Sequence, residues 1–236
     1  MPAFNRRSLL PIILGLCLSE ATLTATPPPR SADVYKRGVA SMEAGNFADA
    51  YCLWKPLAEQ GYSEAQYSLG WMYANGYGLA MDEAQALTWW KRAAEHGHAD
   101  AQFAVAMAYM YGDGVKQDRD VASQWLIKAA AAGLEDAKVI LLDMAGRGVD
   151  AAEGAVGKLL KSGKWQALGK AATIKSDRAN VRSGPGTNYS IVVTLDKGTK
   201  LLVLTHKGEW LRAGIIGTGE LVWVYAPLLS LPDDET

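Results

Sequence analysis

The sequence predicts an α+β multidomain protein, in which an α-solenoid of helix pairs is followed by a small all-β barrel. Two observations predict this fold. A phrase rich in alanine, glycine and aromatic residues recurs at a spacing of 36 residues in the first two thirds of the chain, and a fixed repeat of this length is typical of stacked helical arrays. From about Ala171 onward, apolar residues alternate with polar ones, which is the pattern of short strands.

The N-terminus has the composition of a secretory signal. Arg6 and Arg7 precede an apolar run, Leu9–Leu18, that is too short to span a bilayer. We predict a signal peptide over residues 1–21, followed by a Pro-rich spacer over residues 22–32. The protein would then be periplasmic or otherwise exported, with no stable membrane insertion after cleavage. Because no small residue precedes the first cysteine, we do not expect a lipoprotein; an uncleaved membrane anchor is the alternative.

Composition narrows the classes of partner. The chain has 236 residues, of which 49% are hydrophobic and 21% charged, and its net charge is −1. These values are ordinary for a globular protein, and they provide no overall positive field that would attract nucleic acid. We therefore expect no nucleic-acid partner.

Each 36-residue unit divides into two helical segments. The first segment of the clearest copy, Ser63–Ala74, and the second, Asp82–His96, both carry apolar residues at helical spacing. Asp82 is a suitable N-cap residue for the second helix. Recurring alanines let helices approach closely, and tryptophan and tyrosine fill the spaces between them. We predict helical repeats over residues 33–146, then a degenerate capping helix and a basic linker over residues 147–170.

Glycine pairs follow the first helix of two copies, in the stretches NGYG (75–78) and YGDG (111–114). Such pairs could cradle a phosphate or could end a helix. A dinucleotide-binding loop would need a preceding strand and a third glycine, but Met81 and Gln117 occupy the third glycine's position. The sequence therefore predicts helix-ending turns, in which glycine accepts a positive φ at little cost.

The pattern A-x-x-x-L-G-x-x-Y-x-x-G-x-G-x-x-x-D-x-x-x-A-x-x-W-W-x-x-A-A-x-x-G runs from Ala65 to Gly97. It resembles the Sel-one-like repeat, a relative of the tetratricopeptide repeat. That resemblance implies a protein-binding scaffold rather than an enzyme. Positions that differ between copies are candidates for partner contact, and we select four of them: Trp71, Gln66, Met107 and Gln102. For Trp71 an exposed anchor and a gap-filling core residue are both open interpretations.

The C-terminal segment contains four predicted strands: Ser190–Leu195, Lys200–His206, Glu209–Ala213 and Leu221–Tyr225. Short strands at this spacing predict a small barrel, which we place at residues 171–231, with an acidic tail at residues 232–236.

The stretch ANVRSGPGTNYSIVVTLDKGT (179–199) resembles the bacterial SH3-like domain. The resemblance implies a module that binds a peptidoglycan peptide or a protein segment. Carried over by position, the candidate ligand-binding residues are Asn180, Arg182, Asn188, Tyr189 and Trp210. The alternative is that several of these residues only shape a loop or fill the interior of a small barrel.

No catalytic motif is found in the sequence. A P-loop-like run at residues 157–164 has the wrong spacing, and Trp165 stands where a magnesium-binding hydroxyl is needed. The cluster His96-x-His98-x-Asp100 lies in a turn at positions that differ between copies, so we predict no metal and no cofactor. The expected function is a non-catalytic adaptor of the bacterial envelope. The alternatives are a protein associated with a cell-wall hydrolase and a periplasmic assembly or stress regulator.

Overall fold

A computed structural model of the protein describes residues 30–231. The predicted signal peptide, most of the Pro-rich spacer and the acidic tail lie outside the described residues. Between residues 30 and 231, no helix is both long enough and apolar enough to cross a bilayer.

The first part of this range is helical, as the repeat predicts. Eight α-helices follow one another in pairs, each 12 or 13 residues long. Their bounds are α1 Ser31–Glu43, α2 Phe47–Glu59, α3 Ser63–Asn75, α4 Glu83–Glu95, α5 Ala99–Tyr111, α6 Arg119–Ala131, α7 Glu135–Gly146 and α8 Asp150–Ser162.

The turns between helices behave as the glycine pattern predicts. Gly76 and Gly112 end α3 and α5 in the left-handed region, with φ of 68° and 88°. The carboxylate of Asp82 accepts a hydrogen bond of 2.9 Å from the backbone N–H of Gln85 at the start of α4. The interpretation as helix-ending turns is therefore confirmed, and the Asp82 cap with it.

The described residues fall into two compact units, one up to Ala93 and the other from Ala94 onward. The core of the first unit depends on tryptophans packed against helical glycines. A Cβ atom placed on Gly70 would lie 2.3 Å from Cδ1 of Trp90, and one on Gly38 would lie 2.2 Å from Nε1 of Trp54. No side chain fits at these glycines, so each tryptophan ring lies directly on a helix backbone.

The second unit contains α5–α8 and a seven-stranded antiparallel sheet. The strands are β1 Ala171–Ile174, β2 Arg178–Arg182, β3 Ile191–Asp196, β4 Lys200–Lys207, β5 Trp210–Ile215, β6 Leu221–Tyr225 and β7 Leu229–Ser230. Their order in the sheet is β3-β2-β6-β5-β4-β1-β7. Alternate residues of these strands, such as Ala179, Val181, Leu211 and Val224, are buried in one core. The fold class is thus confirmed as helical repeats followed by a small all-β domain.

The segment between the repeats and the sheet is packed rather than extended. Residues 147–170, for which the sequence predicts a capping helix and a basic linker, contain α8 and a 3-10 turn, Trp165–Leu168. Leu168 is buried in the same apolar cluster as Leu141 and Leu160. This stretch therefore holds the sheet against the helices, and no part of it up to Leu168 is a free tether.

Substitution of Gly70 tests the glycine–tryptophan packing. Gly70→Ala forces Cβ into the Trp90 ring, so we expect a loss of about 1–3 kcal/mol in the free energy of unfolding, measured by chemical denaturation. The next copy has Ala106 and Leu126 at the aligned positions. The double variant Gly70→Ala/Trp90→Leu should therefore be less destabilised than the sum of its two single variants. Strict additivity would contradict this account.

Candidate ligand-binding sites

A groove opens on the sheet between β2 and β6. The two strands pair through Arg182 and Trp223, with no other residue pair between them. Beyond that pair, residues of both strands line a groove of about 620 Å³. Its floor includes Trp210 and Tyr225, which are cross-strand partners with ring centroids 5.6 Å apart. Because their neighbours Leu211 and Val224 are buried, the two rings lie on the outer face of the sheet.

Four of the five predicted residues of the SH3-like domain line this groove: Asn180, Arg182, Asn188 and Trp210. The structure therefore brings together residues that are up to 30 positions apart in the sequence. The amide oxygen of Asn180 is held by a 2.8 Å hydrogen bond from the Thr194 hydroxyl, which fixes its orientation at the groove wall.

Tyr189 has a different position. Its ring packs on Gly184, where a Cβ atom would lie 2.2 Å from the ring carbon Cδ1. Its backbone carbonyl accepts a 2.6 Å hydrogen bond from Nη1 of Arg182. Tyr189 is not among the residues that line the groove, and its observed contacts are those of a residue that shapes the loop and orients the Arg182 guanidinium.

The groove residues that the sequence did not single out include Arg178, Glu209 and Tyr225. The Tyr225 hydroxyl donates a 3.2 Å hydrogen bond to Oε2 of Glu209. This hydrogen bond, followed by the negative charge of Glu209, raises the pKa of Tyr225 above its usual value. Alternation shows only that Tyr225 shares a face of β6 with Trp223; its place in the groove follows from its pairing with Trp210 of β5.

The groove combines aromatic surface with charges of both signs. Arg178 and Arg182 provide two guanidinium groups, and Glu209 provides one carboxylate. Guanidinium groups bind carboxylates through paired hydrogen bonds, and exposed aromatic rings bind apolar or amide surfaces. The groove is thus suited to a peptide that carries at least one carboxylate.

The helical repeats offer a second surface, around Trp71. This side chain is 42% exposed, and its ring stacks on Tyr77 with centroids 5.1 Å apart and an angle of 16°. Trp71 also borders an apolar cavity of about 220 Å³, lined by Met42, Trp54, Tyr67 and Ser68 as well. Tyr77 holds one face of the indole in place, and part of the ring remains accessible.

The other three repeat residues selected from the sequence do not form such a surface. Gln66 and Gln102 are 3% and 7% exposed, which corrects their selection as partner-binding residues. Their side-chain amides donate to the last turn of the preceding helix, Gln66 to the carbonyl of Ala58 at 2.9 Å and Gln102 to that of Ala94 at 3.2 Å. Both glutamines therefore fasten one helix to the next. Met107 is half-buried and packs against the core of the second unit.

The metal-like histidine cluster has a structural account. His98 precedes α5, and its Nδ1 accepts a 3.3 Å hydrogen bond from the N–H of Ala101, so it acts as a helix cap. Among the described residues, no group of three or more His, Cys, Asp or Glu side chains is arranged to hold a metal ion.

Together these features define a helical-repeat protein with a C-terminal β-domain that carries a groove. Comparison with protein-family models identifies both parts. The Sel1 repeat matches residues 63–98 and 99–134, and the bacterial SH3 domain matches residues 177–230. The chain therefore carries Sel1 repeats and a bacterial SH3 domain, which confirms both resemblances.

Solved structures and a curated protein show similarity to parts of the chain. A Sel1 repeat protein from Oxalobacter formigenes is 35% identical over 48% of this chain and 88% of its own, with a TM-score of 0.44. A protective antigen of uropathogenic Escherichia coli strains, which displays an SLR fold, is 29% identical over 58% of this chain and 32% of its own, with a TM-score of 0.49. YrvJ of Bacillus subtilis, whose name assigns it to the N-acetylmuramoyl-L-alanine amidases, is 39% identical over 62 residues. This chain spans only 12% of the length of YrvJ.

The Tyr225–Glu209 hydrogen bond can be tested by titration. In Glu209→Gln the phenolate of Tyr225 should form at lower pH than in the unmodified protein, because the carboxylate that accepts the hydrogen bond of the Tyr225 hydroxyl, and its negative charge, are removed. NMR of ring-labelled tyrosine measures this pKa, and Tyr225→Phe assigns the signal. Glu220→Gln is the control, because it changes an acidic residue just before β6, outside the groove lining. It should leave the pKa of Tyr225 unchanged. An unaltered titration in Glu209→Gln would contradict the hydrogen bond.

Proposed function

We propose that this protein is an exported, non-catalytic adaptor of the bacterial envelope. In this proposal the groove of the SH3 domain binds a peptide of the cell wall, and the Sel1 repeats bind a protein partner. The observation that carries the proposal is the groove itself, because it brings Trp210, Tyr225 and two arginines together on the outer face of the matched SH3 domain.

The chemistry of the groove supports a wall peptide as ligand. Stem peptides of peptidoglycan are short and extended, and they carry free carboxylates that Arg178 and Arg182 could bind. The paired rings of Trp210 and Tyr225 provide a flat surface for the peptide backbone. The name of the Bacillus subtilis relative assigns that protein to the N-acetylmuramoyl-L-alanine amidases, and this supports the same class of ligand for this chain and a location in the cell envelope.

The non-catalytic part of the proposal rests on how the described residues are used. Residues 31–162 form helix pairs, and residues 171–230 form the sheet, so residues 30–231 leave no room for a separate catalytic fold. The amidase relative favours one alternative, in which the protein accompanies a wall-processing enzyme and brings it to its substrate.

For the repeats, we propose that Trp71 is the anchor for the partner protein. Tryptophans at protein interfaces often contribute several kcal/mol when they enter a pocket of the partner. The Tyr77 ring already restricts the rotamer of Trp71, which lowers the entropic cost of binding. The adjoining apolar cavity would accept a small side chain of the partner.

Sedimentation with purified insoluble peptidoglycan tests the groove. The chain without its predicted signal peptide, residues 22–236, should pellet with peptidoglycan. Trp210→Ala should weaken this binding by about tenfold or more. Trp71→Ala is the matched control, because it removes the same side chain from the other compact unit, and it should bind as the unmodified chain does.

Three results would count against parts of the proposal. If the unmodified chain does not pellet, the wall-binding proposal is wrong. If Trp210→Ala binds normally, the ligand does not occupy the groove. Release of soluble fragments from labelled peptidoglycan by the unmodified chain, but not in a sample without protein, would contradict the non-catalytic assignment.

The repeat surface has the reciprocal test. Proteins crosslinked to the chain in envelope extracts should be lost in Trp71→Ala and retained in Trp210→Ala. A partner that crosslinks equally well to both variants would bind elsewhere on the chain.

A further inference from the structure

In the second compact unit, α7 and α8 pack directly on the sheet. Four sheet-domain residues that contribute to the core of these helices are Leu202, Leu204, Ile216 and Leu221. The buried helix residues of that cluster include Leu141, Val156 and Leu160. The helices and the sheet therefore share one apolar core, in addition to the core that the sheet has to itself.

The approach is so close that glycine occupies the contact points. A Cβ atom on Gly157 of α8 would lie 3.0 Å from the carbonyl oxygen of Gly219, and one on Gly146 of α7 would lie 2.8 Å from Thr205. On the sheet side, a Cβ atom on Gly214 would lie 2.2 Å from a methyl carbon of Leu160. Contacts of this kind require a fixed position of the helices on the sheet, because a small shift would produce backbone clashes.

Polar contacts cross the same interface. Arg212 of β5 forms a salt bridge with Glu153 of α8, and both side chains are mostly buried. The Arg212 guanidinium also donates to the carbonyl of Gly146 at 3.1 Å. In addition, the backbone N–H of Gly217 donates to the carbonyl of Leu160 at 3.2 Å. All three contacts would be broken if the sheet detached from the helices.

From this interface we propose that the SH3 domain is the C-terminal cap of the helical repeats, and that α7, α8 and the sheet unfold only together. The last helix pair of a repeat array has an apolar face with no following pair to cover it, and here the sheet covers that face. A β-domain of about sixty residues is itself marginal in stability, so it gains from the same contact. This inference is independent of any ligand and does not rest on the proposed function.

Two glycines of the same helix provide a matched pair of variants. Gly157 faces the backbone of Gly219, whereas a Cβ atom on Gly154 would meet no atom within 4 Å. Both residues lie inside α8, and leucine is a far better helix former than glycine at either position. Gly157→Leu therefore wedges the interface open, and Gly154→Leu changes helix propensity without touching the sheet.

Hydrogen–deuterium exchange of the full chain, read by mass spectrometry of peptides, tests the proposal. In the unmodified protein, the slowest amides of α7, α8, β4 and β5 should exchange with one common opening rate. Gly157→Leu should accelerate all of them by the same factor, of about tenfold or more. Gly154→Leu should not accelerate any of them.

The outcome that overturns the proposal is separate opening. This would appear as different opening rates for helix and sheet peptides, or as faster exchange in only one of the two sets of peptides. Should Gly157→Leu fail to fold, Glu153→Gln decides the question, because it weakens the salt bridge to Arg212 without adding volume. It should accelerate helix and sheet peptides equally, by a factor of a few, and acceleration confined to α8 would contradict the proposal.

Discussion

The contact between α8 and the sheet determines how the second unit is built and where its groove lies. Arg212, which is bound to Glu153 of α8, is the cross-strand partner of Trp223, and Trp223 is in turn the partner of Arg182. Directly paired residues project from the same face of a sheet. Arg212, Trp223 and Arg182 therefore form one row across the outer face, which runs from the helix interface to the groove. One part of the outer face is covered by helices, and the part beyond Trp223 remains open to a ligand.

A second constraint, the size of the residue opposite each core aromatic, shapes the repeats. Trp90 requires glycine at position 70, while the aligned pair in the next copy is Ala106 and Leu126, both fully buried. A smaller side chain on one helix is thus accompanied by a larger one on the other, and the volume of the core is kept. Trp71 lies outside this pairing. Its ring stacks on Tyr77 at the surface, and no glycine is needed to accommodate it.

Local patterns in the sequence were sufficient for the helices, and less so for the sites. The predicted helix Ser63–Ala74 differs from α3 by one residue, because the turn glycine and the apolar period both act locally. Gln66 and Gln102 were wrongly assigned to the partner-binding surface. The sequence does not distinguish a glutamine whose amide is buried and bound to a backbone carbonyl from one that is exposed. Glu209 and Tyr225 were missed because their place in the groove depends on strand register. The helix–sheet interface joins Gly157 to Gly219, and no local pattern connects two glycines so far apart.

This interface also bears on how the groove can be assayed. A fragment that begins at residue 171 would expose Leu202 and Leu221, which the helices cover in the intact chain, and it would leave Arg212 without Glu153. Arg212 and Trp223 lie in the same cross-strand row as Arg182. A change in their positions would therefore also move Arg182 at the groove wall. Loss of peptide binding in such a fragment would therefore reflect loss of the helices as much as absence of a site. The shape of the groove depends on the contact between the sheet and the helices. Substitutions in the intact chain are therefore the appropriate way to examine peptide binding.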